Sequence, residues 1–178
     1  MPELTSYFSN LWNPRLHSYH YSGWKLLEKI SPIEHVLDVG CGHNLFKPYL
    51  PHLVGVDPSF EQADHQCTIQ EFKTDQKFDV AVCLGSVNFG SEHDIIEQLE
   101  KINSLMKPKS RIYWRSNPGH NDHKNKKFEK FVIYPWSFNK HAEFAKQFEY
   151  KLSFIKWDII QDHPAGPDRQ RIYAEWIR

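Results

Sequence analysis

His35-Val36-Leu37-Asp38-Val39-Gly40-Cys41-Gly42 is the stretch that most restricts how this chain can fold. An apolar run rich in β-branched residues that stops at two glycines one residue apart reads as a buried strand turning sharply beneath a ligand. The glycines let the backbone approach what binds there. A second apolar run, Leu53-Val54-Gly55-Val56, ends in Asp57. As a parallel neighbour of the first, it would offer that carboxylate to a ribose diol, the job an acidic residue does about 20 residues on in dinucleotide folds. The pair points to a nucleoside-containing cofactor.

Two later stretches complete an ordered set: Phe78-Asp79-Val80-Ala81-Val82-Cys83-Leu84, and Leu105-Met106-Lys107-Pro108-Lys109-Ser110-Arg111-Ile112-Tyr113-Trp114. With Val36 to Gly42 and Val56-Asp57 they resemble, in order, the motifs of a class I S-adenosylmethionine-dependent methyltransferase. The likeness spreads over roughly residues 33 to 178. It implies an α/β fold: a three-layer Rossmann-like sandwich whose mostly parallel, seven-stranded sheet has an antiparallel final strand. It also implies S-adenosyl-L-methionine as cofactor. By the same resemblance Gly40, Cys41, Gly42, Asn44 and Asp57 would bind the cofactor, Thr68 and Ile69 would flank its adenine, and Leu84 with Gly85 would line its methionine side. Asp38 has two readings. In the family such a carboxylate lies near the methionine part; equally, it could accept amide hydrogen bonds that hold the loop shut.

The chain departs from the family pattern at Asn44, where a third glycine is common. Asparagine tolerates left-handed backbone better than most residues, so the loop is expected to form. Pro48 and Pro51 each remove an amide donor and crowd the preceding turn, so the helix after the loop is expected to be short or kinked. Pro58 to Gln62 is too brief for a parallel crossover, which normally takes a dozen or more residues, so a loop or a displaced third strand is expected there.

Other cofactors fit less well. A nicotinamide fingerprint would want glycine where Leu45 stands, and no phosphate-cradling Gly-Lys-Ser/Thr sequence occurs.

At 178 residues the chain suits one domain, with residues 1–32 as a helical cap over the cofactor site and 33–178 as the core. Formal net charge is zero, so no global field draws it to nucleic acid or an anionic membrane. No apolar run approaches the roughly 20 residues of a membrane span, and no basic region leads into an apolar core at the N-terminus. Three irregularly spaced cysteines suit a reducing compartment. The expected location is cytoplasmic.

Ser22 to Ile30 reads as a helix with Trp24, Leu26, Leu27 and Ile30 apolar. Ser91 to Met106 is the clearest helix, with Ser91 as N-cap and Asp94 completing a partial capping box. Strand five is expected over Arg111 to Arg115 and a last helix over about Pro135 to Phe148. Leu152 to Ile160 with Arg171 to Ile177 would form a closing antiparallel pair joined by the loop Asp162 to Asp168.

Methyl transfer from a sulfonium is an in-line displacement on an activated carbon, so the protein mainly aligns the reactants and excludes water. A site outside the carboxyl ends of the strands would gather Ser86, Asn88 and His120 as candidate catalytic groups, with Tyr19, Tyr21, Trp24 and Asn117 on the substrate side. A histidine near its ordinary pKa of about 6.5 could act as base. His120 also reads as a solvated loop residue, and the aromatics as packing.

Several chemistries are disfavoured. Cys83 lies inside an apolar strand without a Pro-Cys pair, against a covalent cytosine mechanism. Leu84-Gly85-Ser86-Val87-Asn88 lacks the Asn/Asp-Pro-Pro-aromatic motif of amino-directed nucleic-acid enzymes, and the fourth strand ends without the carboxylates of a metal-dependent catechol type. His120-Asn121-Asp122-His123 has no further ligand nearby, so no metal is expected. Lys124, Lys126, Lys127 and Lys130 read as a solvated loop or, secondarily, a contact for a phosphate-bearing acceptor such as RNA. The expected partner is a small-molecule acceptor, nucleic acid not being favoured, and oligomeric state is not legible. Two other classes stay open: a catalytically inactive cofactor-binding domain serving as partner or regulator, and a dinucleotide oxidoreductase.

Overall fold

The computed structural model describes Phe8 and residues 18–119, 131–161 and 170–178. In chain order the elements are β1 (Ser18–Tyr19), a 3-10 helix (Gly23–Lys29), β2 (Val36–Val39), β3 (Leu53–Val56), β4 (Phe78–Leu84), α1 (Glu92–Leu105), β5 (Met106–Ser116), α2 (Phe138–Gln147), β6 (Lys151–Asp158), β7 (Ile160–Gln161) and β8 (Arg171–Ile177).

All four residues of β2 are buried, as is most of β4, which suits parallel strands covered on both faces. The main sheet runs β3-β2-β4-β5-β8-β6, with β3, β2, β4 and β5 parallel and β8 antiparallel to both neighbours. Among the described residues it has six strands, not the expected seven. The third strand of the family pattern has shrunk to a single parallel bridge between Val56 and His65. The stretch between them is too short for a crossover. The β3 edge is sealed locally instead. His65 exchanges backbone hydrogen bonds with Gly55 and Asp57, and the Asp64 carboxylate accepts the Gly55 N–H at 2.8 Å.

α1 and α2 cover one face. The apolar stripe of α1 (Ile95, Leu99, Ile102, Leu105) packs with Phe78, Ile112 and Trp114, and Phe144 of α2 joins the same cluster. The expected cap at Ser91 is present: its side chain accepts the Asp94 N–H while the Asp94 carboxylate accepts the Ser91 N–H. The strand after α1 begins earlier than expected, at Met106. Pro108 and left-handed Lys109 (φ 62°) sit within it, where the register against β4 shifts between Phe78 and Val80. The link between α1 and the residues expected as strand five is thus a bulge inside the strand.

The other face carries no described α-helix. The segment expected as a helix over 22–30 is a 3-10 helix, burying Leu26 and Ile30 against Val36, Val80 and Tyr113. Residues 42–49 form successive turns, with Asn44 N–H donating to Cys41 O, Lys47 N–H to Asn44 O and Tyr49 N–H to Phe46 O. Pro48 and Pro51 accompany this loss of the helix. Tyr21 and Leu50 fill the remaining space.

β1 pairs antiparallel with β7 in a separate two-stranded sheet, tying the N-terminal segment to the chain beyond β6. α2 starts at its N-cap Ser137, later than expected.

Candidate active site

The carboxyl ends of β2, β3, β4 and β5 meet at one end of the sheet, where open α/β sheets bind ligands. The turn after β2 is the centre. Gly40 (φ 69°) takes left-handed backbone, and Gly40 N–H donates to Val56 O at 2.7 Å. A Cβ at Gly40 would stand 2.3 Å from the Ser86 Cβ, so the turns after β2 and β4 touch. Asn44 (φ 54°) also adopts the left-handed conformation, as expected for a substitute for glycine. Its Nδ2 donates to Gln62 O at 3.1 Å and to Asp64 at 3.3 Å. Cys41 packs under Gly55; burial first, then the charges of Asp38, Asp57 and Asp64, push its thiol far above the ordinary range.

Asp57 closes the loop. One carboxylate oxygen accepts the Gly42 N–H at 3.0 Å and the other the Ser59 N–H at 2.7 Å. Each oxygen keeps a lone pair for a further donor. Asp38 has no such support. Among the described residues no hydrogen bond reaches its carboxyl, which is buried behind the turn. Burial, and next the charge of Asp57, push its pKa up to about 7, with Arg115 opposing. Of its two readings, the loop clamp belongs to Asp57 instead.

Ser86 and Asn88 follow β4. The Ser86 hydroxyl and the Asn44 Oδ1 are buried without a hydrogen-bond partner among the described residues. Such atoms are costly unless a ligand or water completes them. Asn88 Oδ1 accepts the Asn117 N–H at 3.0 Å, joining the ends of β4 and β5. Gly85 N–H donates to Arg115 O, and Leu84 O accepts from the Arg115 guanidinium at 2.9 Å.

The remaining expected residues are dispersed. Thr68 bonds to Glu71 through its hydroxyl and N–H, and Ile69 is buried in the core cluster with Val39 and Val56. Tyr19 lies under the Arg115 guanidinium, 4.1 Å from cation to ring centre. Tyr21 stacks on Tyr173, and half-exposed Trp24 meets Phe46 and Tyr49, so neither is brought to Ser86 and Asn88. His120, the lysines of 124–130 and the loop Asp162 to Asp168 lie outside the described residues.

Two groups went unread in the sequence. Arg115 stands at the end of β5 between Tyr19 and Leu84. Asp158, fully buried, accepts the Tyr21 N–H at 2.7 Å and the Ser22 hydroxyl, fastening the N-terminal segment beside Arg115. Only the strand-end position of Arg115 hinted at a role. Deeper in, the Ser116 hydroxyl and His141 Nε2 lie 2.6 Å apart, and burial drives the His141 pKa down to about 3. That imidazole is neutral and structural. No three His, Cys, Asp or Glu side chains among the described residues lie together as a metal set.

Residues 21–155 match a family model described as a methyltransferase domain. No curated protein matches the chain. The fold is similar to that of a SAM-dependent methyltransferase from Methanosarcina mazei, at TM-score 0.66 and 12% identity, over 88% of this chain and 98% of that one. It is also similar to 1,6-didemethyltoxoflavin-N1-methyltransferase from Burkholderia thailandensis, solved with 1,6-didemethyltoxoflavin and S-adenosylhomocysteine (TM-score 0.64, 14% identity, 82% and 71% covered). Magnesium protoporphyrin IX methyltransferase from Synechocystis PCC 6803, with bound S-adenosylhomocysteine, is a third (TM-score 0.63, 14% identity, 87% and 78% covered). At these identities the structures share the fold.

Proposed function

The chain belongs to the class I S-adenosylmethionine-dependent methyltransferase family, and on that premise we propose that its crevice directs methyl transfer to a small polar acceptor. The observation that carries this reading is the left-handed turn at Gly40 to Asn44, closed onto Asp57. The residues present suit the cofactor. Asp57 retains lone pairs for a ribose diol, and among the described residues no hydrogen bond reaches the Asp38 carboxyl or the buried Ser86 hydroxyl.

Bound S-adenosylmethionine would supply a sulfonium-activated methyl carbon. The backbone of Gly40, Cys41, Gly42 and Asn44 would cradle the cofactor, Asp57 would hold its ribose, and Leu84, Gly85 and Ser86 would line its methionine end. Thr68 and Ile69 would stand toward the adenine, Thr68 through the backbone more than through its occupied hydroxyl. Asn88, fixed by its bond to Asn117, would orient the acceptor beside Tyr19, and His120 would take its proton where the chemistry requires one. Tyr21 and Trp24 serve packing in this reading. The substrates named for the toxoflavin and protoporphyrin enzymes support a small molecule as acceptor.

The inactive-module alternative draws on the missing third glycine, the shortened helix and the lack of a decisive base. Asn44 takes the needed conformation, and the turns at 42–49 hold the loop without that helix, which answers the first two reasons; the candidate base His120 lies outside the described residues. No helix among the described residues is long and apolar enough to cross a membrane, and a cytoplasmic location for a single domain, with 1–32 capping the crevice, is part of the proposal. The test is release of S-adenosylhomocysteine from S-adenosylmethionine over a panel of small hydroxyl, amine and carboxylate acceptors. Acceptor-dependent release supports methyl transfer. Tight cofactor binding without release across the panel, and across nucleic acid, would favour the regulatory module.

A further inference from the structure

Ser116, Ile172 and Trp157 stand opposite one another across β5, β8 and β6, on the face that α2 covers. Between this row and the first turn of α2 runs an open groove of about 280 Å³, lined by Trp136, Ser137, Phe138, Asn139, Trp157 and Ile172. Its walls are aromatic. The Phe138 and Trp157 rings lie 5.4 Å apart, tilted by 40°, and Trp157 stays 46% exposed, leaving a broad indole face open. None of the six lining side chains is ionisable. The Ser137 hydroxyl oxygen accepts the Lys140 N–H, while the exposed Asn139 amide makes no hydrogen bond among the described residues. Such a lining offers nothing to a charged group. It suits a flat, uncharged ring stacked on the indole, with one polar atom turned to Asn139.

The groove is continuous with the crevice through Trp136. Its indole N–H donates to Val87 O at 2.8 Å and its backbone N–H to Asn117 O at 3.1 Å. Those carbonyls belong to the turns after β4 and β5, which Asn88 joins through its bond to the Asn117 N–H. Ser116, the last residue of β5, lies two strands from Trp157 in the same row, about 10 Å at ordinary strand spacing. We propose that this groove holds a planar, uncharged ring system carried by the methyl acceptor. The inference rests on the methyl-transfer reading above and gives its acceptor a chemical class: a small aromatic or heteroaromatic molecule bearing the polar group that receives the methyl.

Two measurements test it. In the first, 2-naphthol and its saturated counterpart decahydro-2-naphthol, both uncharged at pH 7, are titrated into the ¹⁵N-labelled protein and followed by NMR. Naphthol is expected to shift the indole N–H signals of Trp157 and Trp136 and the amides of 137–139, and to bind at least about fivefold more tightly than the saturated ring. Trp157→Ala should weaken naphthol about tenfold, and Trp157→Phe should recover most of the loss, with melting curves showing that both variants fold. Naphthol shifts that avoid these signals, or equal binding of the two rings, would overturn the groove. In the second, S-adenosylhomocysteine release is followed with aromatic and aliphatic members of the acceptor panel. Trp157→Ala should raise KM for an aromatic acceptor about tenfold and leave kcat within about twofold. Turnover of aliphatic acceptors alone, or an unchanged KM, would overturn the acceptor role while methyl transfer stands. Release with no acceptor at all would overturn the acceptor role together with the methyl-transfer reading, and the naphthol titration, which needs no turnover, would still decide whether the groove binds a ring.

Discussion

Gly40 and Ser86 meet so closely that a Cβ on the glycine would stand 2.3 Å from the serine Cβ. The turn after β2 and the turn after β4 therefore fit together only with hydrogen at position 40, and Gly40 also holds φ at 69°. Gly40→Ala should cost about 2–4 kcal/mol, combining overpacking with left-handed strain. Adding Ser86→Gly should return the steric share and leave the strain. Thermal unfolding of the single and double variants measures this, and a wild-type melting point for Gly40→Ala would refute the contact.

Asn44 tests whether the departure from glycine is tolerated for its backbone or used for its side chain. Asn44→Gly keeps the conformation but loses the bonds to Gln62 O and Asp64, a cost of about 1 kcal/mol. Asn44→Leu loses those bonds and adds left-handed strain of about 1–2 kcal/mol. Urea unfolding should rank wild type above Gly above Leu. Equal losses for Gly and Leu would mean that φ at this position carries no strain.

Asp38 should make the ligand-free protein less stable as pH rises. Its folded pKa is raised to about 7 by burial and by Asp57, whereas its unfolded value is near 3.8. The neutral carboxyl is thus the form the fold prefers. Its stability advantage is complete below the unfolded pKa and is lost as pH climbs to about 7, a change on the order of 4 kcal/mol at most. Asp38→Asn should remove that slope and raise the ligand-free melting point at pH 8 relative to wild type. Parallel pH profiles for the two proteins would show that Asp38 ionises freely.

His141 has the opposite sign. Burial lowers its pKa from 6.5 to about 3, so its contribution is complete above pH 6.5 and is lost as pH falls toward 3. Its bonded nitrogen depends on Ser116, 2.6 Å away, while Nδ1 has no partner among the described residues. Ser116→Ala leaves the imidazole without any partner and should cost about 1–3 kcal/mol at pH 8, read by chemical unfolding. No loss would mean that the pair is not a hydrogen bond.

What could be read from the chain was what short-range pattern controls. The strand into Gly40, the Ser91 cap with Asp94, and the periodic face of α1 each rest on neighbouring residues and stand where expected. The face opposite α1 was less legible. Ser22 to Ile30 has helical spacing but forms a 3-10 helix entered through left-handed Gly23 and leaving at extended Ile30. The count of seven strands failed at β3. A carboxylate, Asp64, and the backbone of His65 seal an edge that the family pattern gives to a strand. Of the candidate site, Gly40, Gly42, Asn44, Asp57 and Ser86 are contiguous because they terminate adjacent parallel strands, which the order of motifs already implied. Beyond the strand-end position of Arg115, nothing local distinguishes Arg115 and Asp158. Their meaning comes from Tyr19 and Tyr21, distant in sequence and brought over by the pairing of β1 with β7.

The most direct measurement is calorimetric titration of S-adenosylhomocysteine into the wild-type protein and into Asp57→Asn and Asp57→Ala, with melting curves to show that each variant is folded. The account predicts one-to-one binding to wild type, at least about tenfold weaker binding to the folded Asp57→Asn, and none detectable to Asp57→Ala. A wild-type protein that gives no heat with S-adenosylhomocysteine, or variants that bind as wild type does, would contradict it.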